Sequence, residues 1–398
     1  MKKENRNGKI DIIIPAYKAQ NTILRTLSSI AQQTILDDLN VVIVNDGCPN
    51  GGYNQFVKMF KPFMNIREIR CKENGGPGVA RQKGIDATDN QYFTCIDADD
   101  TFASAIALEI LKASIEEPIN MGNGQLIKDG FKCVSSQFMQ LGEELKQMIP
   151  HQNDMVWMFG KLYRRSFIEN YNIRFNETRA NEDTGFNTWV RLLCDNPNEQ
   201  IRFIPETTYF WHNKPDSITR INDGQYGFDQ CLCGWTDNMI YAIQNAKKSR
   251  PFNGGISQWT VNVMMELYYY YVECYARKKV FADQAWEYVK KFYNTCYKRI
   301  EDDITDKVFS EMFSMASMGK HQQGHLIGFI PHIGIKEFMD KLRTEEYNPE
   351  DIYDVWDKLP DDLIENNIKC GVCPVGYTNR PSEMLKAVDE VENEEDKL

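Results

Sequence analysis

Two β-branched runs, Ile10-Asp11-Ile12-Ile13-Ile14 and Val41-Val42-Ile43-Val44, constrain the fold of this chain more than any other feature. Each has the length of a strand buried on both faces, and each is closed by a turn signal. Between them, Asn21 and Thr22 open a segment in which Ile23, Leu24, Leu27 and Ile30 recur at helical spacing, so the three segments form a βαβ unit. The alternation continues through a helical stretch from Phe56 to Phe63, a strand from Ile66 to Ile69, a helix around Val79 to Ala87 and a strand from Tyr92 to Ile96. Four strands alternating with helices predict an α/β fold, doubly wound around a mostly parallel, Rossmann-like sheet.

Open sheets of this kind take their ligands at the carboxyl edge of the strands. There the sequence places Pro15-Ala16-Tyr17, Asn45-Asp46-Gly47, Asn74-Gly75-Gly76-Pro77-Gly78-Val79-Ala80-Arg81 and Asp97-Ala98-Asp99-Asp100. Two carboxylates separated by one residue can grip a hard divalent ion such as Mn²⁺ or Mg²⁺, and the ion can in turn hold a diphosphate. An acidic turn that caps the following helix has the same spelling. The four strand-end segments together, in this order, carry far more information than the DxD alone.

This constellation resembles the GT-A glycosyltransferases, and within them glycosyltransferase family 2, over roughly the first hundred residues. In that family the first strand runs into a Pro-x-Tyr-like segment and the second into an Asp-Asp-Gly-Ser-like loop. An Asn-x-Gly-rich stretch ending in Ala-Arg then precedes the strand that carries DxD. Here the first Asp of the second loop is Asn45 and its Ser is Cys48. The resemblance continues through Lys161-Leu162-Tyr163-Arg164-Arg165-Ser166-Phe167 and Ile173-Arg174-Phe175 to Asn181-Glu182-Asp183-Thr184-Gly185-Phe186, similar to the family's acceptor side. It ends at Thr207-Thr208-Tyr209-Phe210-Trp211-His212 with Ser217-Ile218-Thr219, where His212 stands in place of the usual Arg.

The resemblance implies an inverting transfer of a sugar from a nucleoside-diphosphate sugar, most often a UDP-sugar, to an acceptor hydroxyl. It puts Pro15, Tyr17, Asn45, Asp46, Gly76, Arg81, Asp97 and Ala98 against the nucleotide sugar, and Asp99 with Asp97 and His212 around the metal. Asp183 becomes the general base that takes the proton of the attacking hydroxyl. Arg81 is placed either to meet a phosphate or to pair with Asp97 or Asp99. Asp100 reads as a supporting acid rather than a ligand. His212 is either a ligand or a structural histidine beside aromatics.

At 398 residues the chain exceeds one such domain, which predicts a catalytic domain over 1–222 and a mainly helical domain over 223–398, with the boundary near Ile221 to Tyr226. Long helical patterns run from Ile256 to Val280 and from Phe281 to Ile300, with Val263, Leu267 and Tyr271 on one stripe. This half is expected to shape the acceptor site, to mediate self-association, or both. Residues 387–398 read as an acidic tail. No signal peptide and no stretch of eighteen apolar residues is seen, so a cytoplasmic protein without a membrane span is expected.

Eleven irregularly spaced cysteines suit a reducing compartment. Cys231-x-Cys233 with Cys370-x-x-Cys373, and His321 with His325, are the zinc-like spacings, and none matches a finger. A net charge of −11 disfavours nucleic-acid partners, leaving only a basic patch around Lys161, Arg164 and Arg165 for such a role. A non-catalytic sugar- or partner-binding protein on the same scaffold is the second class considered, and Asp97, Asp99 and Asp183 together argue against it. A nucleotidyltransferase would need a basic, Gly-rich triphosphate signature. A Rossmann dehydrogenase would need GxGxxG after the first strand.

Overall fold

The computed structural model describes residues 8–49, 51–120, 126–142, 148–194, 200–212, 229–250, 254–277, 282–301, 339–340 and 342–344. The expected boundary at 221–226, Ser217-Ile218-Thr219, the His321/His325 and Cys370/Cys373 pairs, the acidic tail, and the side chains of Cys231 and of Tyr268 to Tyr271 lie outside the described residues.

The βαβ reading is met element by element. β1 (Ile10–Ala16), α1 (Ile23–Ala31), β2 (Leu39–Asn45), α2 (Asn54–Phe60), β3 (Asn65–Arg70), α3 (Pro77–Asp86) and β4 (Tyr92–Cys95) follow one another as the periodicity predicts. Strands β3, β2, β1 and β4 are adjacent and parallel. Both faces of β1 are covered. Ile10, Ile12 and Ile14 join the core with Ile23, Leu27 and Ile30 of α1, while Ile13 packs on the other face against α3, so closely that a Cβ at Gly84 would lie 2.4 Å from Ile13 Cγ2. Truncating such a side chain, Ile13→Ala, typically costs about 2–5 kcal/mol.

Beyond β4 the sheet stops being parallel. It continues through β5 (Thr101–Phe102), α4 (Ala107–Glu116), a small hairpin β6 (Ile119–Asn120) and β7 (Leu126–Ile127), then β8 (Cys133–Leu141), β9 (Met148–His151), β10 (Lys161–Arg164), α5 (Arg165–Asn170), α6 (Glu182–Leu193) and β11 (Ile201–His212). The order is β3-β2-β1-β4-β10-β8-β11-β5, with β10 antiparallel to both neighbours, β11 parallel to β8 and β5 antiparallel to β11. The parallel sheet read from the sequence is thus the amino-terminal half of a mixed nine-stranded sheet. The arrangement keeps to the α/β class expected from the sequence. The second half could not be read from regular alternation with helices, because two helices, α5 and α6, separate β10 from β11, and β8 pairs antiparallel with β10 but parallel with β11.

The chain divides into two compact units, one of residues 1–221 and 237–251, the other of 222–236 and 252–398. Most of helix α7 (Trp235–Ser249) therefore belongs with the sheet. In the second unit α8 (Gly254–Arg277) and α9 (Ala282–Phe292) take the place of the two predicted helical patterns, and Val263 and Leu267 of the expected stripe are buried. A π-turn over Tyr293–Tyr297 closes α9, where the Tyr293 hydroxyl donates to Glu301 at 2.6 Å. Among the described residues no helix is long and apolar enough to cross a membrane.

Candidate active site

The turn after β4 is held from three sides. Ile96 N–H still bonds to Ile13 O, which carries the pairing with β1 up to Asp97. Thr22 Oγ1 at the start of α1 donates to Ala98 O at 2.9 Å, and Arg25 Nη2 donates to Asp99 O. Asp100 is buried and accepts from the Tyr209 hydroxyl at 2.6 Å and from His212 N–H at 2.8 Å. Burial, reinforced by Asp99 and then Asp97, pushes the Asp100 pKa well above the carboxylate range. Asp100 therefore anchors the end of β11 to the DxD turn, the supporting role read from the sequence. His212 arrives at this turn, with Nε2 3.0 Å from Thr101 Oγ1. Asp97 and Asp99 are partly exposed. Among the described residues no three His, Cys, Asp or Glu side chains converge as a preformed metal cage.

The loop after β2 differs from expectation. Both oxygens of the buried Asp46 are taken by the Gly-rich loop, Oδ1 by Gly75 N–H at 2.9 Å and Oδ2 by Gly76 N–H at 2.8 Å. Asn45 is likewise closed on itself: its amide donates to Glu68 Oε1 at 2.8 Å and its oxygen accepts Cys48 N–H at 2.9 Å. Both side chains are thus bonded within the strand-end loops they were expected to offer to the nucleotide sugar. A buried Asp and Asn must satisfy their lone pairs and N–H groups, and the nearest partners are backbone amides of the neighbouring loop. Gly47, at φ 68°, is required here, since a Cβ would sit 2.4 Å from the Glu73 carbonyl carbon. Tyr17 stays 43% exposed, with the Lys18 ammonium over its ring at 5.2 Å from the centroid. Pro15 lies within β1, paired with Val44. Gly76, at φ 90°, caps α3, with Arg179 across the gap from its Cα.

Arg81 makes the pairing with Asp97 that the sequence offered as one of its two roles. Its buried guanidinium bridges two acids, Nη2 to Asp97 Oδ1 at 2.8 Å and Nη1 to Glu182 Oε1 at 2.6 Å. Glu182 reaches Arg81 because position 78 is glycine: a Cβ there would lie 2.6 Å from Glu182 Cγ. Asn181, left-handed at φ 57°, turns the chain into α6, and Asp183 follows in the first turn with Oδ1 accepting Thr184 N–H at 2.8 Å. The Asp183 pKa is pushed up to about 7, chiefly by burial and then by Glu182, against the opposing pull of Arg81.

Two supports of Asp183 were not foreseen. Asn187, one turn further along α6, accepts from the Tyr163 hydroxyl at 2.6 Å and donates to Val156 O and Trp157 O. Asn238 of α7 donates to Thr178 Oγ1 at 2.7 Å and Ala180 O at 3.0 Å, gripping the segment that leads into Glu182. Helical spacing from Asp183 to Asn187 was available as a signal for the first. Asn238 lies some fifty residues away in sequence and carried none.

Lys161, Arg164 and Arg165, the one place where the sequence left room for a basic patch, are all buried. Lys161 is fully buried and pairs with Asp154 at 2.6 Å. Arg164 donates to Phe131 O and Ile115 O and reaches Asp129, and Arg165 pairs with the buried Asp11 at 2.9 Å. Their bonds tie β10 and α5 to the sheet, so sequence clustering of cations here reflects architecture.

Residues 11–172 match the family model described as Glycosyl transferase family 2. An uncharacterized glycosyltransferase, EpsJ, of Bacillus subtilis is 28% identical over 225 residues, covering 53% of this chain and 63% of that one. The poly(ribitol-phosphate) beta-glucosyltransferase of Bacillus spizizenii is 26% identical over 184 residues, 45% of this chain and 28% of its own. The chain thus spans less than two thirds of the length of either relative. The crystal structure of S. aureus TarS 1-349 in complex with UDP-GlcNAc superimposes with a TM-score of 0.57 at 15% identity, covering 78% of this chain and 87% of that one.

Proposed function

From a chain that carries a glycosyl transferase family 2 domain over residues 11–172, we infer a metal-assisted, inverting transfer of a sugar from a nucleoside-diphosphate sugar to an acceptor hydroxyl. One observation carries this reading. The DxD turn and the first turn of α6, 86 positions apart from Asp97 to Asp183, are drawn together by Arg81 bridging Asp97 and Glu182. A UDP-sugar is the favoured donor, supported by the likeness to a fold that holds UDP-GlcNAc in TarS.

The residues present fit Mn²⁺ or Mg²⁺ shared with a diphosphate. Asp99 and Asp97 offer hard oxygen, the ligand type these ions take, and ions bound through one or two carboxylates plus substrate phosphates need no all-protein cage. When bound, the ion would offset the negative charge that develops on the departing nucleoside diphosphate. His212 stands close enough to the turn to serve as a further ligand. Tyr17 offers a face for the base. Asp183, with a pKa near neutrality, suits proton removal from an acceptor hydroxyl at physiological pH. We place the reaction in the cytoplasm on the strength of cysteine usage, eleven irregularly spaced thiols suiting a reducing compartment. The helical second unit is assigned to acceptor binding or self-association.

The test is a donor-hydrolysis screen across UDP-, GDP- and dTDP-sugars with manganese and with magnesium. Release of one nucleoside diphosphate in the presence of metal supports the reading and names the donor. No release from any of them removes it.

A further inference from the structure

Nothing in the reading of Asp183 as a base requires a second, buried carboxylate beside it. Glu182 is nonetheless there, its side chain 6% exposed, at the cost of a glycine at 78 and a left-handed Asn181. Its partner Arg81 is equally buried, and Arg81 Nε makes no hydrogen bond among the described residues, so the guanidinium is held in place by its two acids. Asp97 and then Glu182 hold its charge, the first from a side chain 29% exposed and the second from one 6% exposed.

Charged and titratable groups reach Asp183 from four elements. Glu182 lies on its own helix, Arg81 on α3, Asp97 on the turn after β4 and Tyr163 on β10. The two anions oppose ionisation of Asp183 and the cation favours it. We propose that Glu182 and Arg81 are positioning residues of the transfer step: their pair clamps the start of α6 against the DxD turn and sets the charge balance at the base. This rests on Asp183 being that base. Glu182 cannot replace it, because its carboxylate is spent on Arg81. The two members act in opposite senses. Removing the Glu182 charge makes Asp183 easier to ionise, and removing the Arg81 charge makes it harder, whereas a purely structural pair would loosen the site alike from either side.

The experiment follows UDP release against pH from UDP-glucose and UDP-N-acetylglucosamine, with water as acceptor and saturating manganese, in the full-length protein. Wild type, Glu182→Gln, Arg81→Gln and Asp183→Asn are compared. The acid limb of kcat is expected to move down in Glu182→Gln and up in Arg81→Gln, each by about half a pH unit or more. Arg81→Gln strands a buried carboxylate and threatens folding, so the double variant Arg81→Met, Glu182→Met is measured beside it. That variant leaves only the part-exposed Asp97 to be solvated, and its limb is expected between those of the two single variants. If Arg81→Gln does not fold, the limbs of Glu182→Gln and the double variant decide. Limbs that stay at the wild-type position, or that move the same way in every variant, overturn the positioning role. A wild type that releases no UDP from either sugar, or an Asp183→Asn variant that hydrolyses at the wild-type rate, overturns the base assignment instead, and the positioning role falls with it.

Discussion

At Asp183, burial, Glu182 and Asp97 oppose ionisation while Arg81 and Thr184 N–H favour it, and the balance leaves the pKa near 7. Catalysis needs the ionised form, so kcat is expected to rise as pH climbs through about 7, read from a pH profile at saturating donor. Asp183→Asn keeps the shape and the Thr184 bond but cannot accept a proton. Transfer should fall by ~10²-fold or more while UDP affinity by calorimetry persists; near-normal transfer would move the base elsewhere. The same pKa has a consequence for stability. A carboxylate whose folded pKa is raised favours folding only while protonated: its contribution is complete below the unfolded value and is lost as pH rises through the folded one. Asp183→Asn should therefore raise Tm at pH 8 and leave it nearly unchanged at pH 4, and an equal effect at both would refute the raised pKa. At the DxD turn, Asp99→Asn is expected to abolish the manganese-dependent part of UDP binding with the fold intact, because the Asp99 backbone bond to Arg25 does not involve the carboxylate. Unchanged UDP affinity in manganese would count against Asp99 as the ligand.

Helix α6 is positioned by its neighbours more than by its own ends. On one side α3 approaches through Gly78; on the other α7 packs through Asn238 over Gly185, with Tyr241 edge-on to Trp189 at 5.5 Å between ring centroids. Gly78→Ala places a methyl group against Glu182 and Asn176 O, an overpacking of the kind that costs about 1–3 kcal/mol. The expected signature is a loss of transfer larger than the loss of UDP affinity, since the added methyl meets Glu182 beside Asp183. Equal losses in both would mean that the helix start is not what moved. The same packing bears on where the chain can be cut. A chain ending at Ile221 lacks α7 and exposes the face of α6 that Asn238 and Tyr241 cover, so it should lose transfer or aggregate. One ending at Pro251 keeps α7 and should retain donor hydrolysis. If both shortened chains hydrolyse donor equally, α7 does not hold the base in place.

For the molecule as a whole, the described part of the second unit is mostly helical, and self-association is expected to depend on that unit. Sedimentation should give an oligomer for the full chain and a monomer for the chain ending at Pro251; the same association state for both would exclude that role. The sequence by itself determined the parallel half of the sheet, because strands buried on both faces must be continuously apolar and helices between them must repeat every three to four residues. It also determined the acids at the carboxyl edge, because a strand that stops being apolar announces where it leaves the core. The tertiary structure alone decided what those polar groups do. Asp46 and Asn45 turned inward to neighbouring loops, Lys161, Arg164 and Arg165 went into the interior, and Arg81 bridged two acids from distant segments. The antiparallel strands and the return of α7 onto α6 were decided there too. Apolar residues declare burial through local periodicity, whereas a polar side chain's partner is set by which distant segment reaches it, and that distance has no period in the sequence.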